Sequence, residues 1–143
     1  MRKLILLSII LSITFISSIN AQVSFSTDKY KYYQVVPDTL DTAKNNYVLL
    51  KEVSQNSIFH INKNYTMFTH VTPGIQSAYY VQGQDEYNAE EGVWSANFIS
   101  DAGNTYYYVF DVGNKQVRVV IQKDGDVFLI VYICKSVFVR TEN

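Results

Sequence analysis

The chain has little of the material from which small catalytic or cross-linked proteins are built. One cysteine, Cys134, stands in 143 residues, so no internal disulfide can form. Exported proteins of this size often depend on disulfides, and this one must be held by packing instead. Cys134 lies in the apolar run Ile130-Val131-Tyr132-Ile133-Cys134, where a buried, inert thiol is expected. The imidazoles are limited to His60 and His70, each read as a surface or partly satisfied strand residue. No His-x-His or Glu-x-x-His spacing and no Gly-x-Ser-x-Gly elbow occurs, which removes the usual signatures of zinc sites and serine hydrolases. No catalytic residue, metal ligand or cofactor is assigned. Clusters of basic residues are also missing, with 12 Lys and Arg against 13 Asp and Glu. That balance argues against nucleic acid or anionic lipid as a partner, since both are held by neutralising phosphates.

Long apolar runs are confined to the start. Arg2 and Lys3 precede an apolar run over 4–16 broken only by Ser and Thr. Ser18-Ile19-Asn20-Ala21 then places a small residue at a cleavage position before Gln22. This is the layout of a secretory signal peptide. It is shorter than the roughly 20 apolar residues of a spanning helix, and no cysteine follows it to receive a lipid. The expected organisation is a signal peptide over 1–21 and a single β-rich domain over 22–143. The mature chain is expected to be secreted or periplasmic, with no transmembrane segment. Removing 21 residues from 143 leaves 122, with 10 basic residues once Arg2 and Lys3 are gone, 13 acidic ones, and a formal charge of −3.

What the mature part does have is rings. All 12 tyrosines lie in it, and with seven phenylalanines and Trp94 they make 20 aromatics. From Ser57 onward short strands alternate with turn signals. Strands are expected over 57–61, 65–71, 75–82, 93–100, 105–110, 116–122 and 127–139, with a polar loop over 83–92. Connections this short favour antiparallel neighbours in sequence order, because a parallel crossover needs a dozen or more residues. Residues 25–36 read as extended up to Pro37. The segment 47–53 is open between a short helix and a strand, since periodicity cannot separate such short apolar runs.

The tetrad Asp-x-Gly-Asn occurs twice, at Asp101 and at Asp111. A strand advances about 3.3 Å per residue, so the two carboxylates would stand roughly 30 Å apart and cannot share a cation. Neither tetrad has the dense run of oxygen ligands of an EF-hand loop. As turns they make sense, and the hydrophobic pattern selects their register. A three-residue loop over 101–103 pairs Phe98 with Tyr106, Ala96 with Tyr108 and Trp94 with Phe110. A two-residue type II′ turn at Gly113-Asn114 pairs Phe110 with Val117, Tyr108 with Val119 and Tyr106 with Ile121. Asp124-Gly125 suits a type I′ hairpin, setting Phe128, Ile130 and Tyr132 opposite Ile121, Val119 and Val117. A hairpin at Asn62-Lys63-Asn64 would set His60 near Met67 and His70 near Ser57.

This register gathers Trp94, Phe98, Tyr106, Tyr108, Phe110, Val117, Val119, Ile121, Phe128, Ile130 and Tyr132 on one face. The other face carries Ser95, Asn97, Thr105, Arg118 and Gln122, which suits water and not lipid. Tyr107, Val109, Val120, Leu129 and Val131 share that outer side, which implies that part of it is covered. A sheet with one ring-rich face curls on itself or packs on a second layer. The predicted fold class is all-β: an antiparallel β-meander closing into a small, lipocalin-like up-and-down barrel or a half-open sandwich, with room for one short N-terminal helix.

The pattern Phe59-x-Ile61, Met67-Phe68-Thr69-His70, Ser77-Ala78-Tyr79-Tyr80-Val81, Ser100-Asp101-x-Gly103-Asn104-x-Tyr106 and Phe110-Asp111 resembles small exported β-rich proteins of Bacteroidota. The resemblance implies an exported bacterial β-protein and supplies no functional residues. The residues themselves point to a non-enzymatic binding module for a small apolar or aromatic ligand, because tyrosine joins an apolar body to a polar tip and suits a cavity lining. Trp94, Tyr79, Tyr106, Tyr108 and Tyr132 are the candidate lining. The alternative is an envelope or secreted interaction module that meets a protein partner through an exposed Tyr-rich face. An enzyme using His70 or the acidic stretch Asp85, Glu86, Glu90 and Glu91 would need polar groups converging in a cleft.

Overall fold

Alternating apolar and polar residues between glycine- and asparagine-bearing turns build eight strands in sequence order: β1 (Ala21–Pro37), β2 (Asn45–Asn62), β3 (Met67–Thr72), β4 (Ile75–Asn88), β5 (Val93–Ser100), β6 (Thr105–Asp111), β7 (Gln116–Lys123) and β8 (Asp126–Val139). The computed structural model describes residues 21–41 and 43–140, so the predicted leader falls outside it except for Ala21. Each strand pairs antiparallel with the next, and β1 pairs with β8 from Val23↔Val139 to Val35↔Val127, which closes the barrel. The sandwich option is therefore set aside. In a barrel of eight strands the interior is just wide enough for side chains to fill it.

The turns set the faces. Ser100 N–H donates to Asn104 O at 2.8 Å and Gly103 N–H to Ser100 O at 2.9 Å, with Gly103 at φ 87°, which is the expected three-residue loop. Phe98 faces Tyr106 and Trp94 faces Phe110 accordingly. Asp124 and Gly125 both have positive φ, 54° and 82°, which is the type I′ geometry expected there. At the second tetrad the pairing is as expected, with Phe110↔Val117 and Tyr108↔Val119, but the turn is not type II′. The positive φ falls on Lys115, at 53°, and not on Gly113, so the chain turns through Val112–Lys115 between the Asp111↔Gln116 pair. The Asp111 carboxylate, which accepts from Asn114, stabilises that longer turn.

Three boundaries differ from the sequence reading. Residues 47–53 are strand, part of β2, because every one of them has a β1 partner or lies at a bulge beside one. The helix alternative is thereby overturned. The β2–β3 hairpin closes with Asn62 capping a longer loop: its Oδ1 accepts from Thr66 N at 2.9 Å and Met67 N at 3.2 Å. His60 thus pairs with Thr69 and His70 with Phe59, in place of Met67 and Ser57. Finally, β4 runs on to Asn88 through a bulge between Gln82 and Glu86, so much of the expected polar loop is strand.

The core is a column of rings. Phe25, Phe59, Phe68 and Phe98 are 0 % exposed, with Trp94, Tyr108 and Phe110 nearly so. Phe59 sits at the centre, its ring centroid 5.9 Å from that of Phe110, 6.0 Å from Phe68 and 5.0 Å from Tyr132. Burying one such ring contributes on the order of 3 kcal/mol. Where the core meets the β1 bulge, Thr27 and Ser57 satisfy each other, Oγ to Oγ, at 2.6 Å. Beyond that point β1 and β2 run on past β3 and β4 as a tongue, with β8 and β7 alongside β1, and Tyr30 meets Tyr132 and Tyr32 stacks on Phe128 along its inner face.

Candidate functional site

The predicted lining residues separate into two groups along the barrel. Tyr79, Tyr106, Tyr108 and Tyr132 come together in the half nearest the tongue. Tyr79 lies 6.2 Å from Tyr106 and 5.5 Å from Tyr108, ring to ring. Burial pushes the Tyr108 and Tyr132 hydroxyls well above the usual phenol range, so both stay protonated donors. His70 joins this group from β3. Its ring stacks on Phe59 at 3.9 Å with a 4° interplanar angle and meets the edge of Tyr132 at 5.3 Å. Burial lowers its pKa to about 4, and its Nε2 is enclosed with no hydrogen-bond partner. His60, one pair away, faces the opposite side, where its Nδ1 lies 2.8 Å from Ser24 Oγ. The two imidazoles therefore do not converge.

Trp94 stands at the other end, in the wall of an apolar pocket of about 130 Å3. Phe25, Ile61, Phe110 and Val139 form its floor and sides, and Tyr65 and Tyr87 stand at its rim. Tyr65 packs edge-on to Trp94 at 5.3 Å and against Tyr87 at 5.8 Å, while Phe110 stacks on Trp94 at 5.6 Å. The indole N–H of Trp94 donates to Asp85 Oδ2 at 2.7 Å. The β4 bulge makes that contact, by turning Asp85 back toward β5 through Gly83, whose φ is 79°.

Tyr65 and Tyr87 were not legible as site residues. Tyr65 read as the first residue of a strand, but it ends the β2–β3 loop with φ 54°, which swings its ring over the barrel mouth. Tyr87 read as part of a polar loop, yet it pairs with Trp94. The available signal was the turn between them: Asn88 Oδ1 accepts from Glu90 N and Glu91 N, and Gly92 at φ 67° completes it. Placing that turn at 88–92 brings Tyr87 opposite Trp94.

Two polar features have structural roles. Asp111 is buried and accepts from Asn114 N at 3.0 Å, Asn114 Nδ2 at 2.8 Å and Arg118 at 3.1 Å. Burial alone would raise its pKa, but these donors together hold the carboxyl below the usual carboxylate range. Cys134 is buried, and burial, with Asp28 nearby, pushes its thiol up to about 12. That environment gives an inert thiol. Among the described residues no three His, Cys, Asp or Glu side chains converge as metal ligands, and no helix is long and apolar enough to cross a membrane.

No family model, curated protein or solved structure matches the chain.

Proposed function

We propose that the protein is an exported, non-enzymatic binding barrel that holds a small apolar or aromatic group in the pocket beside Trp94. The observation that carries this reading is a preformed apolar pocket of about 130 Å3 walled by Trp94 and Phe110 and rimmed by two phenols. Its size limits the ligand. An apolar cavity of about 150 Å3 holds one benzene-sized molecule, whereas drug-sized ligands occupy about 300–1,000 Å3. The bound group is therefore a single ring or a short branched chain. Tyr65 and Tyr87 are placed to hydrogen-bond whatever extends outside. The leader layout over 1–21 supports action in the periplasm or outside the cell.

Native mass spectrometry of protein purified from its own host tests this reading, since it reports a retained ligand and the stoichiometry together. Trp94 is the sole tryptophan, so its fluorescence supplies a parallel titration with phenol and toluene. A retained small mass, or a saturable fluorescence change, is expected. Protein that arrives without ligand and gives only a linear response to both probes would remove the reading. A contact role beside the pocket is favoured by a separate observation: Tyr33, Tyr47 and Tyr107 face outward from the barrel.

A further inference from the structure

The strand register places apolar side chains in rows on the outside of the barrel. Tyr108, Val119, Ile130 and Tyr32 point inward, so their chain neighbours point out. Following the pairs Tyr107↔Val120, Val120↔Leu129, Leu129↔Tyr33 and Tyr33↔Leu49 gives one continuous apolar row across β6, β7, β8, β1 and β2. A second row, Val127, Val35 and Tyr47, lies beside it toward the tongue tip. Tyr47 is 56 % exposed, Leu49 50 % and Tyr107 38 %, and the remainder are half-buried. Among the described residues, strands make substantial contact only with their ladder neighbours, so no other element covers these rows. At about 4.8 Å between strands, the first row is about 19 Å long. The two rows, with Val131 and Val109 beside them, cover roughly 300 Å2 in plan, the size of the largest apolar patch on an ordinary monomer, which is often functional.

The charges on either side of the rows differ in sign. Toward the tongue tip stand Asp38, Asp41 and Asp124 with Lys44, a formal charge of −2, while Lys123 and Asp126 alternate to the inner side. Toward the barrel body stand Lys29, Lys31, Lys115, Arg118 and Lys135 with Asp28, Glu52 and Asp111, a formal charge of +2. We propose that this face associates with the same face of a second copy, about a two-fold axis lying in the sheet plane and running across the strands. Such an axis reverses strand direction, so each acidic tip lies over the partner's basic margin and apolar row meets apolar row. An axis along the strands would set like charges together and is disfavoured. The contact is isologous and closes at two subunits, with the sheets about 10 Å apart. Because the barrel wall curves, the contact centres on β7, β8 and β1, with β6 and β2 at its margins.

Sedimentation equilibrium of the purified protein from 1 to 500 µM, in low and high salt, tests the proposal. Twice the chain mass is expected, with an association that weakens as salt screens the charged margins. Leu129→Glu, in the middle of the row, is expected to weaken association at least 100-fold, and Tyr107→Ser at its end at least 10-fold. Near-UV circular dichroism confirms that each variant keeps its packed core. Lys31→Glu alone and Asp124→Lys alone each weaken self-association, and a mixture of the two recovers a dimer. A single-chain mass across the whole range overturns the proposal. So does a dimer indifferent to both row substitutions, or a mixture of the charge variants no better associated than its components.

Discussion

The two Asp-x-Gly-Asn tetrads have the same sequence signature, yet their removal should have very different costs. Asp111 has a side chain 4 % exposed and accepts three hydrogen bonds, one of them from Arg118, itself 29 % exposed. Hydrogen bonds to a charged group are worth about 1.5–3 kcal/mol each. Some of that loss is recovered, because Arg118 keeps Gln116 Oε1 at 3.1 Å and part of its hydration. Asp111→Ala is therefore expected to cost about 3 kcal/mol. Asp101 is exposed and accepts from Ala78 N at 3.2 Å, so Asp101→Ala should cost only about 0.5–1 kcal/mol. In urea, with a slope of about 1.5 kcal/mol per molar, the midpoints should fall by about 2 M and about 0.5 M respectively. Trp94 fluorescence follows both transitions. The sign with pH is also fixed. The folded-state pKa of Asp111 is depressed, so its stabilisation is present above the unfolded value of about 3.9 and is lost as pH falls through the lower folded value. The gap between wild type and Asp111→Asn should close in acid. A midpoint shift for Asp111→Ala no larger than that for Asp101→Ala would refute the reasoning.

Further consequences concern the core, the turns and the thiol. His70 has a folded-state pKa of about 4 against an ordinary 6.5, so the unfolded chain takes up a proton first as pH falls. Stability should drop by on the order of 3 kcal/mol between those values, and His70→Phe, which preserves the stack on Phe59, should flatten urea midpoints measured from pH 7 to 4. Phe59→Ala removes the central ring and should cost about 3–5 kcal/mol by the same assay. Gly125 has φ 82° and open space around its missing side chain, so Gly125→Ala should cost only the left-handed backbone penalty of about 1–2 kcal/mol. Cys134 should resist a thiol reagent at pH 8 in the folded protein and react at once in denaturant.

Much of the fold could be read from residue order alone because its hairpins are short and one face is ring-rich. Between Val93 and Val139 a one-residue slip would turn Trp94 and Phe98 away from Tyr106 and Phe110, so the pattern admits one register. That constraint fixes pairing but not turn conformation, and so the register at Gly113-Asn114 was legible while the Lys115 geometry was not. It also weakens where strands lack a buried face. Residues 45–57 of β2 hydrogen-bond to β1 on one side and are mostly exposed. Their sequence therefore carries no clear alternation to tell strand from helix. The pocket was half legible. Trp94 stood out as a large ring on the inner face, but Tyr65 and Tyr87 reach it through a loop residue with positive φ and a bulge, features without a periodic signature.

The claim that the Trp94 end of the barrel is a ligand site is tested most directly by nuclear magnetic resonance with toluene as the probe. The indole N–H of Trp94 gives one isolated resonance, and methyl groups of Val23, Ile61, Val112 and Val139 surround the pocket. The account predicts that these signals shift together and saturate, while those of Val119 and Ile130, deeper along the barrel, stay in place. Shifts that never saturate, or that centre on Val119 and Ile130, would contradict it.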